Sequence, residues 1–515
     1  MSSMISRRFF IGGAASFGAF GGCRFLNSNN FRAGGTPNVR FGVISDIHIT
    51  KVGADEKMAA NGNNLTFKHT LEWFRDQNVD AVMIAGDMAD KGTDEHIMAV
   101  AQAWYSVFPE DRYPDGRPIE KVFVYGNHDW HGHNYGSHST KLYPDVNERV
   151  KHILQADMAG WWKKAFHEDY SILYSKNIKG YTFIGCHWDR GSGFPKGDSG
   201  GVDPFTLLPA FMDKHGGDID PTLPFFYVQH PHPKDTCYGP WAWGHDRGVV
   251  TKCLSSYQNA IAFSGHSHYS LTDERSIWQG AFTSVGTSSL RYTGMPYNEH
   301  LPIGYENTST EGQDAWRVNA VKMMPGFSGA GDCRQGMLWS VYDDCIVVKR
   351  REFLSDMDVG DDWVMPLPSA ESRPFAFAEH ARKFEAPRFA EGASLTVKAV
   401  KAKSRGGKSP KTGETIASTV KPSVSIVAPQ TVPDKNARLY DLEFAVESKS
   451  GERKAKLIMA EGFNHALAHA RTKLPVSCVF AKDELPKPPF RFIVTPRNCF
   501  GKSGVPLTTD WHNGI

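Results

Sequence analysis

Residues 122–138 read VFVYGNHDWHGHNYGSH, an apolar run that stops abruptly in a loop holding four histidines, with asparagine and aspartate among them. The first residues are β-branched or aromatic, as a strand requires, and the glycine that follows ends it. Taken alone, such a loop is ordinary, because connections lie on the surface and His, Asn, Asp and Gly suit both turns and water. It acquires another meaning only if other strands end in the same way, since open α/β sheets gather ligands beyond the carboxyl ends of neighbouring strands.

Four further apolar runs do so. VRFGVIS ends at Ser45 and is followed by DIH; DAVMIA ends at Ala85 and is followed by GDMADKG; PFFYVQ ends at Gln229 and is followed by HPHP; AIAFS ends at Ser264 and is followed by GHSH. None of the loops opens with Lys or Arg. His, Asp and Asn supply borderline nitrogen and hard oxygen donors, the set that suits Mn, Fe, Zn or Mg. Between the strands, Phe67, Thr70, Leu71 and Phe74 recur on one helical face, and Ile97, Val100, Ala101, Trp104 and Val107 on another. Strands alternating with amphipathic helices indicate an α/β domain.

The ordered set DIH, GD, GNHD, H and GHSH resembles the calcineurin-like metallophosphoesterase family, over about residues 38–353. The resemblance implies a four-layer sandwich of two β-sheets flanked by helices. It implies one metal held by Asp46, His48 and His268, a second held by Asn127, His230 and His266, and Asp87 bridging the two. It further implies that His128 is not a ligand but faces the scissile phosphate as acid or hydrogen-bond donor to the leaving oxygen, and that Asp90 is the carboxylate orienting it. The activity implied is hydrolysis of phosphate mono- or diesters by a hydroxide bridging two divalent or mixed-valence ions. Two departures narrow the match. Purple acid phosphatases carry a metal-bound tyrosine at the position of Asp90 and lack the histidine seen here as His48, so their coloured ferric site is not expected. Phosphoprotein phosphatases carry an arginine where this chain has Lys91, which puts bidentate phosphate clamping at that point in doubt.

The remaining chain supplies context. At 515 residues with 40% apolar and 22% charged side chains, it is folded and long enough for more than one domain, and its net charge of +2 does not suggest a nucleic-acid binder. Arg7 and Arg8 before the weakly apolar run 9–22 match a twin-arginine export signal over residues 1–23, which implies the export machinery as a partner and a periplasmic or otherwise exported location. Cys23 is a candidate lipid anchor, and no later stretch approaches the roughly 20 apolar residues of a membrane span. The remaining boundaries expected are a linker at 24–37, the metallophosphoesterase domain at 38–355, a Pro-rich linker at 356–388, and a fibronectin-III-like β-sandwich at 389–515, where SLTVKAVKA, PSVSIVA, RLYDLEFAVES and FRFIVTPRNCFGKSG alternate apolar and polar residues. Cys333 with Cys345, or Cys478 with Cys499, are pairs an oxidising compartment would permit. His131, His133, His138, His232 and His245, with Trp130, Trp241 and Trp243, lie just beyond the ligand blocks and read as solvated or pocket-lining. The expected substrate is a small phosphate ester. A nuclease of the same superfamily, or a surface-binding protein with a vestigial metal site, are the alternatives.

Overall fold

Continuous apolar strands set the architecture of this computed structural model, which describes residues 35–49, 63–90, 92–131, 157–188, 204–237, 246–291, 293, 334–368, 371–403, 407–408, 415–416, 418–432, 439–459 and 475–514. The twin-arginine segment, Cys23, Lys91, His133, His138, His245, Trp241, Trp243 and Cys333 lie outside the described residues, as do the side chains of Trp130 and His131. Strands β1 (Val39–Ile44), β2 (Ala81–Ala85) and β3 (Glu120–Val124) run parallel, with Val43, Met83 and Val122 in register. Helix α1 (Asn63–Asp76) precedes β2, and α2 (Asp94–Val107) precedes β3. The Thr93 side chain caps α2 by accepting the His96 N–H at 3.3 Å, and Asp94 and Glu95 in the first turn complement its positive end. After β3 come the short α3 (Asn127–His131) and α4 (Met158–Phe166).

The second sheet comprises β4 (Leu173–Ile178), β5 (Tyr181–Cys186), β6 (Phe225–Val228), β7 (Ala260–Ser264), β8 (Ile277–Gln279) and β9 (Thr283–Gly286), in the order β4-β5-β6-β7-β9-β8. Its inner strands β5, β6, β7 and β9 are parallel. Helices α5 (Leu208–His215) and α6 (Val249–Leu254) accompany it. The first sheet is completed by β10 (Gln335–Val341), β11 (Cys345–Glu352), β12 (Met357–Asp358) and β13 (Trp363–Pro366), giving the order β12-β11-β10-β1-β2-β3 with β13 also paired to β11.

Side-chain parity then stacks the layers. Val39, Phe41, Val43, Met83 and Val122 meet Phe183, Phe226, Val228 and Phe263 between the two sheets. The alternate residues Ile44, Val82, Ile84 and Phe123 meet Phe67, Leu71, Phe74, Ile97, Val100 and Trp104 of the first helical layer, so the helical faces expected from the sequence are the ones buried. On the far side Ile184, Phe225, Tyr227 and Ala262 pack on Leu208, Met212, Val250 and Leu254. The result is helix, sheet, sheet, helix. Each large apolar side chain so removed from water contributes roughly 1.5–3 kcal/mol.

The stretch 356–388 differs from the linker expected. Its prolines and acidic residues read as loop, but Trp363 and Met365 enter the core between the sheets while β12 and β13 extend the first sheet, and α7 (Phe377–Arg382) follows. The C-terminal part is all-β. Its strands are β14 (Thr396–Lys403), β15 (Gly407–Lys408), β16 (Thr415–Ile416), β17 (Val420–Ala428), β18 (Asp441–Ser448), β19 (Arg453–Met459), β20 (Val476–Ala481), β21 (Phe490–Arg497) and β22 (Leu507–Thr508). Sheets β14-β17-β20 and β19-β18-β21-β22 enclose Val424, Ile426, Leu442, Phe444, Phe480, Phe492 and Val494. The pairing of Cys478 with Cys499 is not made. Both are free, because Cys478 faces that sandwich core while Cys499 packs with Tyr440 and Phe500 in a separate cluster; Cys345 is free as well.

Candidate metal centre

Five strands deliver the site, and the chain turns sharply where three of them, β1, β2 and β7, end. Asp46, His48, Asp87, His266 and His268 all have positive φ, between 50° and 69°. Side chains other than glycine seldom adopt this region, and residues held there concentrate at functional sites. The turns are bound to one another. The Asp46 N–H donates to Gly86 O (3.0 Å), the His48 N–H to Asp87 O (2.9 Å) and the Gly265 N–H to His230 O (2.8 Å). Glycine is needed at two of these turns for close approach: a Cβ on Gly126 would lie 2.3 Å from Asp87 Oδ1, and one on Gly265 would lie 2.4 Å from Asp46 Oδ2. The glycines of GNHD and GHSH thus leave room for the carboxylates of other blocks.

Those turns bring the expected ligands together. Ligand atoms of Asp46, His48, Asp87 and His268 lie within 4.8 Å of one another, as do those of Asp87, His230 and His266, so Asp87 belongs to both groups. His268 Nε2 is 3.1 Å from Asp46 Oδ1 and 3.2 Å from His48 Nε2. In the second group His230 Nε2 is 3.2 Å from Asp87 Oδ2 and 3.2 Å from His266 Nδ1. Asn127 is buried beside them, and its Oδ1 accepts no hydrogen bond among the described residues.

This donor set fits a pair of cations. Two imidazole nitrogens facing each other at 3.2 Å can share one proton or one cation, but cannot each carry hydrogen. A buried amide oxygen without a donor is costly unless something positive lies before it. His230 offers its Nδ1–H to Ala85 O at 2.7 Å, which turns Nε2 towards Asp87, the arrangement by which metal-ligating histidines are oriented. The electrostatics agree. Burial pushes the Asp87 carboxyl up, but the rings of His230, His128 and His48 hold it well below the usual carboxylate range. Burial opposes protonation of His230, yet Asp87 and Asp46 raise the ring to about 9, so the carboxylates favour positive charge at this point.

His128 and Asp90 flank the cluster. The His128 N–H donates to Asp87 Oδ1 (2.8 Å), and its ring Nδ1 lies 3.1 Å from the main-chain carbonyl of Asp90. The Asp90 carboxylate, expected to orient this ring, belongs with His48 and His128 to one group whose ligand atoms lie within 4.8 Å of one another. The carboxylate itself lies 3.4 Å from His48 Nδ1 and pairs with Arg291. Asp129 was not singled out from the sequence. It is fully buried and accepts three main-chain N–H groups, from Met88 (3.2 Å), Ala89 (2.6 Å) and Gly126 (2.7 Å), so it staples the GD turn to the GNHD turn. Burial and the neighbouring Asp87 push its carboxyl up to about 8. His232, expected to be solvated or pocket-lining, is fully buried instead and bonds to the hydroxyls of Ser264 (2.6 Å) and Ser267 (2.8 Å), which packs the turn between the two GHSH histidines. Trp188 backs the second ligand group, its ring 5.9 Å from His230 and 5.7 Å from His266.

Residues 39–270 match the family model described as calcineurin-like phosphoesterase. No curated protein matches the chain. Among solved structures, a dimetal phosphatase from Danio rerio is 13% identical, with a TM-score of 0.36, covering 64% of this chain and 99% of its own. A purple acid phosphatase from yellow lupin is 12% identical, with a TM-score of 0.34, covering 64% of this chain and 54% of its own. Zinc-complexed Vps29 from Entamoeba histolytica is 10% identical, with a TM-score of 0.24, covering 64% of this chain and 99% of its own. The family match spans the five turns from Asp46 to His268 that form the ligand cluster, and residues 39–270 are accordingly a calcineurin-like phosphoesterase domain.

Proposed function

We propose that the protein is an exported, dinuclear-metal phosphoesterase that hydrolyses phosphate esters. One observation carries this reading: Asp87 is shared between two ligand groups, with His128 held against the same carboxylate. Asp46, His48 and His268 would hold one ion, Asn127, His230 and His266 the other, and Asp87 both. When bound, such a pair supplies Lewis-acid neutralisation of phosphoryl charge and lowers the pKa of coordinated water. The chain's own part is positional and acid–base. The turns at positive φ fix the ligands before substrate arrives, which limits reorganisation during the reaction. His128, its Nδ1 committed to Asp90 O, uses Nε2 to pass a proton to the departing alkoxide. Arg7 and Arg8 support delivery through the twin-arginine route, and the domain limits we favour carry the catalytic body through β13, with the fibronectin-III-like sandwich beginning near residue 389.

The test is turnover. Metal-loaded protein should hydrolyse nitrophenyl and alkyl phosphate esters, chelation should abolish the activity, and added metal should restore it. His128→Ala should lose about 10²-fold or more on alkyl esters and distinctly less on nitrophenyl esters, whose leaving groups need no proton. Equal losses on both would remove the acid role, and absence of turnover on every phosphate ester by fully loaded protein would overturn the reading.

A further inference from the structure

Among the described residues, Asp46, His48, Asp87, Asp90, Asn127, His230 and His268 are all buried, while His128, His266 and Arg291 are partly exposed. Arg291 comes from the loop after β9, which carries none of the ligand blocks, yet its guanidinium Nη1 pairs with Asp90 Oδ1. That carboxylate lies in one group with the ring nitrogens of His48 and His128, all within 4.8 Å of one another. The Arg291 side chain is 34% exposed against 9% for Asp90, so the guanidinium sits on the solvent side of the cluster.

The loop that presents Arg291 is fixed to the ligand segment itself. The Arg291 N–H donates to Ser289 Oγ (2.9 Å), and Ser289 Oγ donates to Asp46 O (3.0 Å). On either side, the Leu290 N–H donates to Ser45 O (3.1 Å), and Arg334 Nη1 donates to Leu290 O (2.8 Å). The stem of Arg291 is therefore held in place by the same strand end that positions Asp46. Among the described residues, Asp90 is its side-chain partner through one nitrogen, so the Nε and Nη2 donors of the planar fork remain for a further acceptor.

We infer that Arg291 is a phosphoryl-binding and specificity-determining residue, one that clamps the non-bridging oxygens of a phosphate monoester beside His128. The inference rests on the phosphoesterase reading above. A guanidinium pairs two oxygens of a phosphoryl group at once, which is the two-pronged contact that Lys91 does not offer. A monoester presents three non-bridging oxygens and a diester two, so a further cationic fork favours the monoester. Asp90 acts as the positioning residue that holds the fork in place.

The experiment compares wild type with Arg291→Ala, Arg291→Lys and the double variant Arg291→Ala with Asp90→Asn, all metal-loaded and analysed for metal content. Calorimetric affinity for inorganic phosphate is measured together with kcat and KM on nitrophenyl phosphate and bis-nitrophenyl phosphate. Arg291→Ala should weaken phosphate binding and kcat/KM on the monoester by about tenfold to a hundredfold, the range expected for lost charge-assisted hydrogen bonds, with a smaller loss on the diester. Arg291→Lys should recover part of the phosphate affinity, and the double variant should not. Unchanged phosphate affinity in Arg291→Ala, equal losses on both substrates, or recovery in the double variant would overturn the inference, the last by showing that Arg291 only neutralises Asp90. A wild type that turns over phosphate esters while the variants bind phosphate normally defeats this inference alone; a wild type that neither binds phosphate nor hydrolyses its esters defeats the functional reading beneath it.

Discussion

The strands of the body and those of the C-terminal sandwich use their two faces differently. β2 and β7 are buried at every position, whereas β21 alternates buried and half-buried along its length. A strand packed on both faces has no side to offer to solvent, and its polar residues collect where it ends. Because β1, β2 and β3 run parallel, as do β5, β6, β7 and β9, those ends fall on common edges, and the two sheets bring Asp46, Asp87, Asn127, His230 and His266 to one place. In the antiparallel sandwich every other residue already faces outward, so polar groups such as Arg491 and Glu447 are spread along the strands. Among the described residues, every group of three or more His, Cys, Asp or Glu able to hold a metal lies in the body. The same chain thus builds one part that concentrates charge and one that disperses it.

The contrast breaks most visibly through the two cores. Phe41 meets Phe183 (5.1 Å between centroids), Phe226 (4.8 Å) and Trp339 (5.9 Å) between the body sheets, and Phe492 meets Phe490 (5.7 Å) in the sandwich. Truncating either to alanine should cost about 3–5 kcal/mol, read by denaturant unfolding. Phe41→Ala should also weaken metal retention, since Phe41 lies on the strand that ends in Asp46, whereas Phe492→Ala should leave metal content and turnover intact at temperatures where it is folded. Loss of metal from Phe492→Ala would show that the sandwich belongs to the frame of the site.

A smaller effect sharpens the boundary between the regions. Glu274, six residues after His268, accepts from Arg350 Nη1 (2.8 Å) and Trp363 Nε1 (2.8 Å) and lies 3.3 Å from His380 Nε2. Burial pushes its carboxyl up, but Arg350, His380 and Trp363 hold it below its ordinary value of 4.5. A carboxyl depressed in the folded state contributes stability that is full above the unfolded pKa and is lost as pH falls through the folded one. Glu274→Gln should therefore cost roughly 1–3 kcal/mol above pH 4.5, and the difference in Tm from wild type should shrink as pH falls below that value. A pH-independent difference would mean that Glu274 contributes shape rather than charge.

The legible parts of the sequence follow from the same contrast. Candidate ligands at the ends of apolar runs announce themselves locally, so Asp46, His48, Asp87, Asn127, His230, His266 and His268 are legible as candidates without a structure, and the helical faces of α1 and α2 follow from spacing. Asp129 is not legible, because its role is set by N–H groups on a turn some 40 residues earlier. Arg291 escaped for a similar reason: its loop has no ligand pattern, and long-range contacts such as those of Ser289 and Leu290 carry it to Asp46 and Ser45. His232 is a residue type that suits water, placed by the turn of GHSH where water does not reach. The Pro-rich stretch 356–388 hid β13, since a four-residue strand between prolines and acids has too short an alternation to read. In the sandwich, β19 (RKAKLIM) and β20 (VSCVFA) were missed, the first because it is largely charged at its start.

The central claim is that one carboxylate joins two cation sites, and Asp87→Asn tests it most directly. The substitution keeps the shape of the side chain and removes the charge shared by both ligand groups. Metal analysis of wild type and variant after identical loading should show about two ions per chain falling to one or fewer, with turnover of a nitrophenyl phosphate ester collapsing in parallel. Two tightly held ions and near-normal turnover in Asp87→Asn would contradict the account.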